Sequence, residues 1–138
     1  MYLNRFSISV SPNNSIPLDK LKPFNLIYSE IEEHLFRVLP KKINVGGFGF
    51  VSIKLHYNRN EKDWVKEFGK CADCNLHSYQ FSIEDFLMKE AVAQRNEVLQ
   101  IYETGLRVLS SRFEVDEILI LKAINHIKEE ISTYSNKK

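Results

Sequence analysis

The chain has 138 residues, of which 43% are hydrophobic and 27% are charged, and its 19 basic and 18 acidic side chains give a net charge of +1. This size and mixture predict a single globular domain spanning residues 1–138 and exclude a disordered chain or a strongly basic nucleic-acid-binding surface. No apolar run is long enough to cross a bilayer, and the first residues do not form a secretory signal. We therefore expect a cytoplasmic protein with no membrane partner.

The first two elements follow from hydrophobic periodicity. Apolar residues at positions 2, 6, 8 and 10 alternate with polar ones, which predicts a strand. Apolar residues at three- and four-residue spacing from Phe24 to Leu39 predict a helix that Pro40 ends. Pro23 is expected to kink any helix that begins earlier, so residues 18–22 are predicted to form a separate short turn.

The long central segment alternates most clearly. From Val51 to Tyr57 the odd positions are apolar and the even ones polar, which predicts a strand with one face on a core and the other toward water. Phe48 and Phe50 fall on the polar side, where a solvated face has no need of aromatic rings. The glycines at 46, 47 and 49 predict a bend or bulge. They do not predict a phosphate-binding loop, because a helix precedes them and a strand follows.

The remaining segments complete the predicted fold. Residues 76–82 are expected to form a further strand, and residues 64–70 either another strand or a helical turn. The short connections favour hairpins. Ser82 begins a helix whose apolar stripe reaches Phe113, with a break near Gln94 and Arg95, and a last helix follows Asp116. Residues 132–138 are expected to fray. The sequence thus predicts an α+β fold, with a mostly antiparallel sheet of three or four strands covered on one face by three helices.

Two cysteines and a histidine have the spacing of a zinc knuckle: Cys71, Cys74 and His77. A structural zinc site needs a fourth ligand, and the nearest candidate, His56, lies on a different predicted strand. The alternation also places His77 on the same side as Tyr79 and Phe81, which suits a core-side ring as well as a ligand. Two cysteines are too few for a disulfide framework. We therefore predict packing or surface thiols, no bound metal and no cofactor.

A group of basic residues lies close to aromatic ones and could suggest a nucleic-acid surface: Lys54, Arg59, Lys62, Lys66 and Lys70. Acidic residues at 61, 63 and 67 alternate with them and cancel most of the positive field. Pairs of opposite charges on a solvated face explain this pattern, so no nucleic-acid partner is predicted.

In its size, its order of layers and its lack of catalytic motifs, the whole chain resembles the small α+β immunity proteins of bacterial polymorphic or contact-dependent toxin systems. The resemblance implies a protein without catalysis that neutralises a cognate toxin by direct binding. Many immunity proteins against nucleases are strongly acidic, whereas here only residues 114–130 are locally acidic, with five carboxylates. The resemblance therefore implies a toxin that is not a highly basic nuclease, or one that this acidic region meets.

Two surfaces are candidates for the protein interface. The first is the polar side of the central strand, where exposed rings among polar groups have the composition of an interface anchor. The second surface lies around the acidic last helix. It replaces the first as the expected interface if helices cover both faces of the sheet. The residues of the first surface are Phe48, Phe50, Lys54 and His56. Those of the second are Asp116, Glu117 and Glu129.

Two other functions stay open at this point. A small enzyme would line its pocket with His56, His77 and Cys74. A non-inhibitory subunit or adaptor of an oligomeric assembly would use the same exposed aromatic residues. The sequence does not distinguish a monomer from an oligomer.

Overall fold

Strands and helices alternate along most of the chain. The computed structural model describes residues 2–10, 18–56, 65–68, 73–78 and 81–136. Within these ranges the elements are, in order, β1 (Arg5–Val10), α1 (Leu18–Val38), β2 (Phe50–Leu55), β3 (Val65–Phe68), β4 (Asp73–Ser78), α2 (Ile83–Leu87), α3 (Ala91–Ser110) and α4 (Glu117–Asn136). None of these described helices is long and apolar enough to cross a membrane. The predicted α+β class is confirmed at this general level.

The four strands form one sheet in the order β1-β2-β4-β3. The pairs β1–β2 and β2–β4 are parallel, and only β3 runs antiparallel, along the edge of β4. The predicted mostly antiparallel sheet is therefore wrong. Two consequences of long-range packing explain the difference: α1 crosses over between β1 and β2, and β4 inserts beside β2 while β3 stays at the edge. Alternation within a strand is the same for either direction of its neighbour, so it carried no information on this point.

The helices also differ from the prediction, which counted three. Leu18 to Val38 form one continuous helix that passes through Pro23, so the separate turn at residues 18–22 is not present. Leu21 and Phe24, on either side of the proline, are both buried, and their packing offsets the one backbone hydrogen bond that proline removes.

The long stripe after Ser82 divides into two helices, α2 and α3. The break lies at residues 88–90, before the predicted position at Gln94 and Arg95. The predicted helix start is confirmed, since the Ser82 hydroxyl accepts a hydrogen bond from the Asp85 amide at 3.3 Å. Gln94 joins the two helices, because its side-chain amide donates to the carbonyl of Phe86 at 3.1 Å. Residues 132–136 continue α4, and 137–138 lie outside the described residues.

The core lies on one face of the sheet, against α1 and α3, and α4 packs on these two helices. The Tyr102 ring meets Phe6 edge-on at 5.0 Å, and its hydroxyl donates to the Phe6 carbonyl at 2.9 Å. Further along α3, Gly105 lies over β2: a Cβ there would stand only 2.7 Å from Cδ1 of Ile53. The glycine therefore lets α3 approach the middle of the sheet closely.

Candidate binding face on the open side of the sheet

The side of the sheet opposite the helices carries a regular array of mostly polar residues, which we call the open face. Parallel pairing in register aligns them in three rows, and His56 lies on the same face two residues beyond the last row. The first row is Arg5, Phe50 and Asp73, the second Ser7, Ser52 and Asn75, and the third Ser9, Lys54 and His77. The described helices all pack on the other side. Since mostly parallel sheets are usually covered on both faces, a polar face that none of the described helices covers is a feature to explain.

The first row holds an exposed aromatic ring. Phe50 is 46% exposed and lies between the oppositely charged Arg5 and Asp73. A concavity of about 430 Å³ is lined by Arg5, Ser7, Phe50, Ser52, Asp73 and Asn75. Arg5 also reaches around the edge of β1, where its Nε lies 3.8 Å from the Glu32 carboxylate on α1. The first row is thus an aromatic ring in a shallow recess whose charges are largely balanced.

The second row is neutral and polar. The Ser7 and Ser52 hydroxyl oxygens lie 3.2 Å apart across β1 and β2, and Asn75 continues the row on β4. All three side chains are half-buried. The row offers hydroxyl and amide groups that can both donate and accept hydrogen bonds, without adding a charge.

Two histidines form a pair at the other end of the open face. Nε2 of His56 and Nδ1 of His77 are 3.0 Å apart, so one ring nitrogen donates a hydrogen bond to the other. The rings are nearly parallel, with centroids 5.3 Å apart. Burial, together with the positive charge that His77 and Lys54 can carry, lowers the pKa of His56. The pair can therefore gain a proton when a negative charge approaches.

The expectation of a core-side ring at His77 is wrong. The core-facing residues of β4 are Cys74, Leu76 and Ser78, so His77 points to the open face. Cys74 is fully buried on the opposite side of the strand, which separates it from His56 and His77. Cys71 lies outside the described residues. Among those that are described, no group of three or more His, Cys, Asp or Glu side chains is placed to hold a metal ion.

Phe48 and Phe50 do not act as a pair. Gly46 and Gly47 have φ angles of 65° and 80° and form a tight turn, so the glycines make a turn instead of a bulge. The turn docks on the α3–α4 connection, where Gly46 donates to the Glu114 carbonyl at 2.9 Å. Phe48 is half-buried and meets the Phe113 ring edge-on at 5.2 Å. Of these two rings, Phe50 alone is exposed on the open face.

The acidic residues of the second candidate surface lie elsewhere. The Asp116 carboxylate accepts a hydrogen bond from the Asn44 amide at 2.8 Å, which ties the start of α4 to the loop before β2. Glu117 begins α4, and Glu129 is exposed near its other end. Because α4 packs on the helices of the core face, these residues do not join Phe50, Lys54 and His56.

Some residues of the open face were not singled out from the sequence: Arg5, Ser7, Ser52, Asp73 and Asn75. The alternation of β1 does show that Arg5 and Ser7 face away from the core. Their position beside Phe50 depends on the parallel pairing of β1 and β2, which alternation does not reveal.

No protein family, curated protein or solved structure matches this chain. The candidate site is therefore defined by its own geometry: a sheet face that the described helices leave uncovered, with an exposed ring at one end and a basic cluster at the other. Lys54 and the two histidines make up that cluster, which we call the basic end.

Proposed function

We propose that this protein binds another protein through its open face, performs no catalysis itself and neutralises a cognate toxin in the cytoplasm of the producing cell. The observation that carries the proposal is the exposed Phe50 ring on a sheet face that the described helices leave uncovered. The more specific part of the proposal, that the partner is a toxin, is based on the resemblance of the chain to small immunity proteins.

The chemistry of the open face suits a protein contact. An aromatic ring surrounded by polar groups is the usual composition of an interface anchor. Phe50 is such a ring, and the Ser7–Ser52 row beside it supplies hydrogen-bonding groups at the floor of a shallow recess. A partner side chain can enter the recess, contact the ring and exclude water from the neighbouring polar groups.

The geometry favours binding over the enzyme alternative. That alternative requires His56, His77 and Cys74 to share one pocket, but Cys74 is buried on the core face and the histidines are on the open face. The histidine pair on its own can accept and release a proton, which also serves recognition of a charged partner.

The direct test is co-expression with the product of the neighbouring gene, followed by calorimetry on the purified proteins. Replacing Phe50 with Ala should weaken binding by about 2 kcal/mol, roughly thirtyfold, because truncation of an anchor ring removes its contact with the partner. Leu26→Ala is the matched control: Leu26 is a 65% exposed apolar residue on α1, away from the open face, and its removal should leave the affinity unchanged.

The same variants test the toxin hypothesis in cells. Cells that express the neighbouring gene should survive with the wild-type protein and with Leu26→Ala, and should lose protection with Phe50→Ala. Failure of the wild-type protein to bind or protect would remove the support for an immunity function. A loss of binding with Glu129→Gln but not with Phe50→Ala would instead locate the interface on α4.

A further inference from the structure

We propose that the recess around Phe50 receives an arginine side chain of the partner, whose guanidinium stacks on the Phe50 ring and donates hydrogen bonds to the Asp73 carboxylate. This inference rests on the proposed function and specifies which group of the partner enters the recess. It goes beyond an anchor contact, because it fixes both the charge and the shape of that group.

The recess has the size and the lining for a polar side chain. Its volume of about 430 Å³ lies within the range of about 300–1,000 Å³ that is usual for ligand pockets. The register places Phe50 directly between Arg5 on β1 and Asp73 on β4. Neighbouring strands lie about 4.8 Å apart, so a flat group over the ring can reach the carboxylate beside it. Asn75, which also lines the recess, adds an amide oxygen that can accept a hydrogen bond.

The two charged residues beside the ring differ in their partners within the protein. Arg5 reaches toward α1, where its Nε lies 3.8 Å from the Glu32 carboxylate. Asp73 is half-buried and forms no ion pair with a side chain that the structure describes. A carboxylate in this position gains a charge-assisted hydrogen bond from any cation that enters the recess. Charge complementarity therefore selects a positively charged partner group.

The other charges around the open face are mixed. On β3, Glu67 occupies the register position beside Asn75, which extends the second row with an acidic residue. Lys54 stands in the third row, away from the ring. Outside the described residues, Lys70 precedes β4 in the sequence, and residues 57–64, which follow the opposite end of β2, include two basic and two acidic side chains. The selectivity of the recess therefore comes from the ring and the carboxylate beside it, and not from a strong overall field.

Arginine suits this recess better than lysine does. Its guanidinium is planar, so one face can lie on an aromatic ring while the N–H groups at its edge donate to a carboxylate and an amide oxygen. The lysine ammonium is a strongly hydrated point charge and cannot stack in this way. Phe50 and Asp73 offer both contacts at once, because they are neighbours in the first row. An exposed ring with a carboxylate at its side therefore favours arginine.

A defined peptide tests the inference without the natural partner. A blocked Gly-Arg-Gly peptide would be titrated into isotope-labelled protein while the backbone amide signals are followed by NMR. The matched control contains citrulline, which has the shape of arginine without its charge. We expect the arginine peptide to shift the signals of Phe50, Asp73 and Asn75. It should bind about three- to tenfold more tightly than the citrulline peptide and about two- to threefold more tightly than a lysine peptide.

Three variants assign the effect to the recess. Asp73→Asn should weaken binding of the arginine peptide about two- to fivefold, as expected for a partly exposed ion pair, and should leave citrulline binding unchanged. Phe50→Leu keeps an apolar side chain but removes the aromatic face, and it should weaken arginine binding by about two- to fivefold. Glu129→Gln, which removes one exposed carboxylate on α4, is the matched control and should bind as the wild-type protein does.

Several results would overturn the proposal: no shifts at the recess, equal affinities for the arginine peptide and either control peptide, or an unchanged affinity for Asp73→Asn or Phe50→Leu. Tighter binding of free arginine than of the blocked peptide would replace the partner protein with a small molecule.

These outcomes are distinct from failure of the proposed function. If Phe50→Ala leaves binding of the natural partner intact, the open face is not the interface, whatever the peptides show. If Phe50→Ala abolishes that binding while Asp73→Asn leaves it unchanged, the open face is the interface but the group that enters the recess is not an arginine.

Discussion

The two faces of the sheet are made by alternate residues of the same three strands, yet they differ in almost every property. On the core face, seven residues of β1, β2 and β4 are no more than 2% exposed: Phe6, Ile8, Val51, Ile53, Leu55, Cys74 and Leu76. On the open face, serines, charged residues and histidines alternate with them, and the one large apolar residue, Phe50, is 46% exposed.

This difference separates stability from recognition. The core face holds the apolar contacts with α1 and α3, so substitutions there should unfold the protein. The side chains of the open face are mostly polar and partly exposed, so they contribute little to the free energy of folding. Substitutions on this face should therefore leave the fold intact. A parallel sheet needs two covered faces for a two-sided apolar core, and here the described helices cover one face while the other is mostly polar.

The largest expected effect distinguishes the faces at neighbouring positions of β2. Ile53→Ala should lower the free energy of unfolding by about 3 kcal/mol, because it leaves a cavity under α3 where Ile53 is fully buried. Ser52→Ala, one residue earlier on the open face, should change it by less than about 0.5 kcal/mol. Urea denaturation measures both, and equal losses for the two variants would contradict the two-face description.

The two aromatic residues before and at the start of β2 should respond differently. Phe48→Ala removes the edge-on contact with Phe113 and should cost about 2 kcal/mol of unfolding free energy. Phe50→Ala should cost less than about 1 kcal/mol, since nearly half of its surface is already exposed. Thermal and urea denaturation of the two variants would check this. A larger loss for Phe50→Ala would make that ring part of the core and not an anchor.

On the core side, alkaline pH should destabilise the protein through Tyr28. Burial and the hydrogen bond to Glu32 raise the pKa of Tyr28 to about 12, whereas the unfolded chain titrates near 10. The unfolded state therefore loses its proton first, and the stability that is fully present below about pH 10 is lost as the pH rises toward 12.

Tyr28→Phe removes the ionisable hydroxyl, and it should flatten the fall of the unfolding free energy, measured by urea denaturation over this alkaline range, by about 1 kcal/mol per pH unit. Ser29→Ala, at the neighbouring exposed position of α1, should keep the wild-type slope. An unchanged slope for Tyr28→Phe would show that this hydroxyl does not govern the alkaline transition.

The smallest effect is expected at acidic pH on the open face. Burial, His77 and Lys54 lower the pKa of His56, so the unfolded chain binds the proton more readily. The contribution of His56 is therefore present above about pH 6.5 and is lost as the pH falls below it.

His56→Gln should reduce this acid-side loss by about a few tenths of a kcal/mol, because water screens a half-exposed group. Asn75→Ala, which alters the same face without removing a titratable group, should keep the wild-type pH dependence. Urea midpoints measured between about pH 7.5 and 5.5 compare the two variants. A steeper loss of stability on acidification in His56→Gln than in the wild-type protein would contradict the predicted direction of the His56 effect.

Local features of the protein were determined by the sequence alone. The alternation of β2 shows that Val51, Ile53 and Leu55 share one buried face, and Ser82 marks the start of a helix. These features depend on backbone geometry and on residues a few positions apart, so a pattern in the sequence is enough to show them. The same alternation placed Phe50 and Lys54 on the side away from the core.

The arrangement of these elements was decided only by the tertiary structure. A strand can satisfy its hydrogen bonds with a parallel or an antiparallel neighbour, so the sheet order depends on how α1 and α3 pack across it. That packing brings Arg5 beside Phe50, joins His56 to His77 across 21 positions of sequence, and turns Cys74 away from both. The candidate binding face therefore results from long-range strand pairing, because each strand supplies only one residue to each of its rows.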